Sequence, residues 1–88
     1  MSELSESEKI DLFAKQMKEN LKINSYKGTW TEESDDWLFE CLDEEVKELE
    51  AVSSYGYNRK KRAEEILREA ADVANFAMMI ADNSGAFQ

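Results

Sequence analysis

The chain contains no proline and no histidine, three glycines and a single cysteine, Cys41, in 88 residues. Without proline, and with so little glycine, nothing interrupts the long runs of Glu, Lys, Leu and Ala, which favour helix over sheet. One cysteine excludes an internal disulfide, and its place beside Leu38 and Leu42 on a helical pattern reads as packing rather than as a reactive thiol. The lack of histidine excludes Glu-x-x-His di-iron sites and ordinary zinc sites. Basic residues are also scarce, 11 against 20 acidic ones for a net charge of −9. That balance argues against a nucleic-acid polymer or an anionic membrane as partner, because both are held by clustered Lys and Arg. No apolar run reaches the roughly 18 residues of a membrane span, and no signal peptide precedes the first helical pattern, so a soluble, cytoplasmic protein is expected.

The residues present, 42% hydrophobic and 35% charged, suit one small all-α domain over residues 1–88 with room for a single site. The patterning predicts antiparallel helices over about 6–22, 32–52 and 60–83. Ser5 or Ser7, followed by acidic residues, marks the first helix start. Ile10, Phe13, Ala14, Met17 and Leu21 then form one apolar stripe, with Lys9, Lys15, Lys18 and Glu19 facing water. Asn24 to Thr31 reads as a connection, inside which Tyr26, Lys27 and Trp30 stand out. Trp30 either caps the end of the bundle or offers a flat wall to a planar base, with Lys27 near a phosphate.

A second helix starts near Thr31 or Ser34, and its acidic beginning, Glu32, Glu33, Asp35 and Asp36, suits the positive end of the helix dipole. After a second connection, Ser53 to Asn58, come four successive cations, Arg59, Lys60, Lys61 and Arg62. They read as a solvated turn offsetting nearby Glu residues or as a grip on a polyphosphate tail. The last helix ends at the stop signal Asn83, Ser84 and Gly85, leaving Ala86 to Gln88 to fray.

Two features do not fit an ordinary bundle. On the second helix Leu38, Cys41, Leu42, Leu49 and Val52 all fall within roughly 60° of Glu45, so this carboxylate points along the core-facing stripe, with Glu48 at its border and Glu44 beside it. On the last helix Ala70, Val73, Ala74, Ala77, Met78, Met79, Ile80 and Ala81 cover most of the circumference. Into that wall are set Glu69, Asp72 and Asn75, with Glu69 and Asp72 on the side of Phe76 and Met79. A carboxylate withdrawn from water without a partner costs several kcal/mol or changes its protonation state. A basic residue, a shared proton or a metal ion must meet these groups. If the helices lie antiparallel the two acidic sets converge, and an all-oxygen shell suits Mg²⁺ or, as the alternative, Mn²⁺. Magnesium so bound calls for a phosphorylated ligand.

The pattern EExxE (Glu44, Glu45, Val46, Lys47, Glu48), followed after 20 residues by ExxD (Glu69, Ala70, Ala71, Asp72), resembles the signature of the MazG-like, all-α nucleoside triphosphate pyrophosphohydrolases. The resemblance covers about residues 26–83, including the KGTW loop and the ADVANFAMMIAD run. It implies a Mg²⁺-dependent hydrolase that cuts a nucleoside triphosphate between the α and β phosphates. It also implies Glu45, Glu48, Glu69 and Asp72 as metal ligands, Glu45 also serving catalysis, and Glu44 as a supporting ligand or the group orienting the attacking water. Asn75 matches a sugar or phosphate contact, and Lys27, Trp30, Arg59, Lys61 and Arg62 are assigned to base and phosphates. The family resemblance further implies an oligomer. A three-helix chain cannot cover a last helix that is apolar nearly all round, so a homodimer completing the bundle is expected, or a homotetramer by a second pairing. A nucleotide- or metal-binding regulatory protein, or a structural helical bundle whose acidic residues are buffered by Arg59 to Arg62 and Arg68, with little turnover in either case, is the competing reading.

Overall fold

The computed structural model describes residues 3–24, 29–54 and 62–88, and among them every regular element is helical. Helix α1 spans Glu6–Asn24, a 3-10 turn covers Thr29–Glu32, α2 spans Asp35–Ser54 and α3 spans Ala63–Asn83.

The ends are set by side chains that satisfy orphan backbone groups. At α1 the Ser5 N–H donates to Glu8 Oε1 at 2.9 Å while the Glu8 N–H donates to Ser5 Oγ at 3.1 Å, a reciprocal capping box. At α2 the Trp37 N–H donates to Ser34 Oγ at 3.2 Å. Of the two expected starts, Thr31 and Ser34, this cap selects Ser34 and makes Asp35 the first residue of α2, while Thr29–Glu32 forms the 3-10 turn. At the end of α3, Gly85 takes a left-handed φ of 91°, and its N–H donates to Asp82 O at 3.0 Å while that of Ala86 donates to Ala81 O at 3.3 Å. The tail expected to fray is held in turns, with the Gln88 N–H donating to Gly85 O at 3.2 Å.

Helix α3 lies at the centre, with both α1 and α2 packed on it. Leu38 near the start of α2 meets Phe76 and Met79 in the second half of α3, while Glu45 and Glu48 farther along meet Glu69 in its first half, so the two helices are antiparallel. Helix α1 is also antiparallel to α3: Met17 pairs with Asn75, and Asn20, one turn later, with Arg68 and Asp72. Thus α1 and α2 run in the same direction. The chain leaves α1 beside Arg68 and returns at Trp30 beside Asp82 and Asn83, toward the opposite end of α3.

The buried core is Leu38, Phe76 and Met79, with Leu21, Trp30, Cys41, Leu42, Met78 and Ile80 packed against it. Phe13, Ala14, Met17 and Leu21 of the expected α1 stripe are half-buried, but Ile10 is 68% exposed. The α1–α3 hydrogen bonds come from the second half of α1, and its first turns carry Ile10 and Leu12 into solvent. Nor is α3 enclosed by one chain, since Ala77 and Leu67 are exposed. The accessible surface of 6808 Å² exceeds the about 5,300 Å² of a compact monomer of this mass. Ile23, Trp37 and Phe39 are among the exposed large apolar side chains. No helix among the described residues is long and apolar enough to cross a membrane.

Candidate metal centre

The antiparallel contact of α2 and α3 brings three carboxylates together. Glu45 and Glu48, one turn apart on α2, and Glu69 on α3 each offer an oxygen, and these oxygens lie within 4.8 Å of one another. Glu48 is exposed at the rim, whereas Glu45 and Glu69 are half-buried. The Oε2 atoms of both Glu45 and Glu69 are fully buried and have no hydrogen-bond partner. Three like charges this close, with two oxygens so withdrawn, cannot all remain ionised at ordinary cost.

The titration behaviour reflects that crowding. Burial, followed by a hydrogen bond with Glu48 and the charges of Glu48, Asp72 and Glu69, pushes the Glu45 carboxyl up to about 7. The Glu45 Oε2 atom, buried and without a partner, sits at the centre of that crowding. The Glu69 carboxyl is raised as well, by burial first and then by the Glu48 charge and hydrogen bond. Asp72 is raised by burial, while a hydrogen bond from Asn20 acts in the opposite direction.

Asp72 stands beside the cluster rather than within it. Its Oδ1 accepts the Asn20 Nδ2–H at 2.8 Å. The same Nδ2 donates to Arg68 O at 2.9 Å, and Asn20 Oδ1 accepts from Gln16 Nε2 at 2.8 Å. A cavity of about 160 Å³, lined by Asn20, Ile23, Asn24, Arg68, Glu69 and Asp72, opens at this point. Neither Asn20 nor Gln16 stood out in the sequence. The one available signal was an amide at the border of the α1 apolar stripe, because a buried amide must find partners.

The other assigned residues are placed as follows. Glu44 is exposed, one residue from Glu45 and outside the three-carboxylate cluster. Asn75 is buried; its Nδ2 donates to Met17 O at 3.0 Å and ties α1 to α3, while its Oδ1 lacks a partner. Trp30 is half-buried against the core, with its indole N–H given to Asp82 Oδ2 at 2.9 Å. Asp82 is 13 residues beyond Glu69 on the same helix, roughly 20 Å along its axis. Trp30 therefore secures the end of the bundle within its own chain. Arg62 is half-buried at the start of α3, seven residues before Glu69 and so on the same side of the helix. Lys27, Arg59 and Lys61 lie outside the described residues. Cys41 is half-buried against the core, where burial and then the charges of Glu44, Glu40, Glu45 and Glu33 push its thiol pKa up, as expected of a packing residue.

A family model described as phosphoribosyl-ATP pyrophosphohydrolase matches residues 8–86. The chain belongs to this family. The phosphoribosyl-ATP pyrophosphohydrolase family is the all-α group related to MazG, in agreement with the resemblance carried by the two acidic motifs. Its members are hydrolases that act on a nucleotide phosphoanhydride, and they typically use a divalent metal. No curated protein and no solved structure matches the chain. The residues present fit such a metal: the donors are all oxygen, three of them converge, and the half-buried Glu45 and Glu69 each hold one buried oxygen without a partner.

Proposed function

We propose that the chain is a Mg²⁺-dependent nucleoside triphosphate pyrophosphohydrolase, releasing a nucleoside monophosphate and pyrophosphate, with Mn²⁺ as an alternative ion. The observation that carries this reading is the convergence of Glu45, Glu48 and Glu69 with buried, unpartnered oxygens on two of them. Glu45, Glu48, Glu69 and Asp72 would hold the ion. When bound, it supplies positive charge at the phosphates and makes nearby water more acidic.

The protein's own groups divide the remaining work. The buried carboxylates of Glu45 and Glu69 form the inner wall of the site, and Glu48 at the rim faces the side from which a phosphate chain enters. Glu44, exposed next to Glu45, orients the attacking water. Water forms the new bond to the α phosphorus, the bond from that phosphorus to the bridging oxygen breaks, and pyrophosphate leaves. Arg62, on the side of α3 that carries Glu69, is suited to the departing pyrophosphate, together with Arg59 and Lys61 from the preceding run. Lys27, Asn75 and Trp30 are assigned to base, sugar and phosphate, and Trp30 reaches a substrate only in a neighbouring subunit. Such a neighbour is supported by the exposed apolar side chains, which favour a homodimer or homotetramer, and a cytoplasmic place for the enzyme is part of the same proposal.

A second substrate reading is favoured by the match itself, whose description names phosphoribosyl-ATP. Both substrates present a phosphoanhydride to the same carboxylates and differ at the base. The deciding experiment measures pyrophosphate release from a panel of ribo- and deoxyribonucleoside triphosphates and phosphoribosyl-ATP with Mg²⁺, using wild type and Glu48→Gln. Release that disappears in the variant supports the reaction, and the substrate ranking chooses between the two readings. No release from any of them, in a protein whose melting temperature still rises with Mg²⁺, makes it a nucleotide- or metal-binding regulatory protein instead.

A further inference from the structure

Asn20 is 5% exposed, and its amide makes three hydrogen bonds to two helices. Its orientation is not free. The α3 groups it meets, the Arg68 carbonyl and the Asp72 carboxylate, can only accept, so the Asn20 nitrogen must face α3, and Gln16 Nε2 donates to the Oδ1 left over at 2.8 Å. That nitrogen has two hydrogens, one given to the Arg68 carbonyl at 2.9 Å and the other to Asp72 Oδ1 at 2.8 Å. The carbonyl belongs to the residue directly before Glu69, so one α1 side chain sets the position of the α3 backbone at Glu69 and the rotation of the Asp72 carboxylate.

Helix docking alone does not require this arrangement. The Asn75 Nδ2–H bond to Met17 O already ties the same pair of helices, one turn away. What Asn20 adds is a donor to a carboxylate. It engages one Asp72 oxygen and leaves the other for a different partner, at the edge of a cavity of about 160 Å³ that both residues line with Glu69.

We propose that Asn20, backed by Gln16, is a positioning residue of the carboxylate site: it presets Asp72 and Glu69 in the arrangement that takes a divalent cation. This rests on the metal reading above. Groups that orient ligands from behind in this way change metal affinity by about 10- to 100-fold when removed.

The test is calorimetric titration of the metal-free protein with Mn²⁺ alone, with melting temperatures measured in parallel, for wild type, Asn20→Leu and Gln16→Ala. Asn20→Leu keeps the branched shape and number of heavy atoms, though not the volume, and removes all three hydrogen bonds. Gln16→Ala removes only the bond that backs the Asn20 oxygen, and is the milder variant to read if Asn20→Leu does not fold. The expected result is a dissociation constant raised about 10-fold or more in Asn20→Leu, with a smaller rise in Gln16→Ala and native helicity in both. Folded variants that bind Mn²⁺ as wild type does, and lose only metal-free melting temperature, reduce Asn20 to a helix clamp and overturn the proposal. If wild type itself takes up no Mn²⁺, the metal reading falls, and this inference with it.

Discussion

The indole N–H of Trp30 donates to Asp82 Oδ2 at 2.9 Å, and the Trp30 carbonyl accepts Asn83 Nδ2–H at 3.0 Å. The segment entering α2 is thus fastened to the last turn of α3, roughly 20 Å from Glu69 by helical rise. Trp30→Phe keeps most of the packing but leaves Asp82 without this donor, and it should cost about 1 kcal/mol. Trp30→Ala also removes the packing on Leu38, Phe76 and Met79, and should cost about 3 kcal/mol. Urea denaturation checks both. An unchanged midpoint together with a raised KM for nucleotides would return Trp30 to a substrate wall.

Replacing Glu45 by Gln should raise the melting temperature of the metal-free protein at pH 8, because it removes a charge from a place where an oxygen has no partner. The same change should abolish the rise in melting temperature with Mg²⁺ or Mn²⁺. Differential scanning calorimetry with and without metal reads both effects. A variant that is unfolded outright would count against a ligand role.

The metal-free protein should lose stability as pH rises from about 4.5 toward about 8. Glu45 has an ordinary value of 4.5 and is pushed up to about 7 in the fold, so the native state binds the proton more tightly than the unfolded chain. The stability linked to that proton is fully present below pH 4.5 and is lost as pH passes through 7. The upward shifts of Glu69 and Asp72 act in the same direction. A bound cation prefers the ionised carboxylates, so its stabilising effect should be larger at pH 8 than at pH 5.5. Thermal melts across this range, with and without Mn²⁺, would show the opposite trend if Glu45 were already paired with a fixed cation.

Self-association should show in the solution mass. Ile10, 68% exposed on α1, and Phe39, 51% exposed on α2, are large apolar side chains with no cover from their own chain. Light scattering on wild type should give a dimer or tetramer, and Ile10→Glu or Phe39→Glu should lower the mass toward 10.2 kDa. A wild-type protein that is already monomeric at high concentration removes the need for a subunit partner.

Much of the secondary structure was legible because helix signals are local. The Ser5–Glu8 capping box and the Gly85 stop depend on residues within a few positions of each other, and the core-facing phase of Glu45 follows from the 3.6-residue period. The same period set Glu44, Glu45 and Glu48 toward Glu69 and Asp72 once α2 and α3 were taken as antiparallel, and of these five Glu45, Glu48 and Glu69 come together.

Periodicity gives a residue's angle about its own helix, but neither the helix it faces nor its level along the neighbour. Only the tertiary structure decided that α1 runs parallel to α2, that Trp30 sits at the Asp82 end of α3, and that Ile10 stays uncovered while Leu21 does not. It also decided that one Asp72 oxygen, beside the three-carboxylate cluster, is engaged by Asn20. Those two residues are 52 positions apart. Their pairing depends on the register in which α1 and α3 dock, a relation between two surfaces that neither segment carries alone.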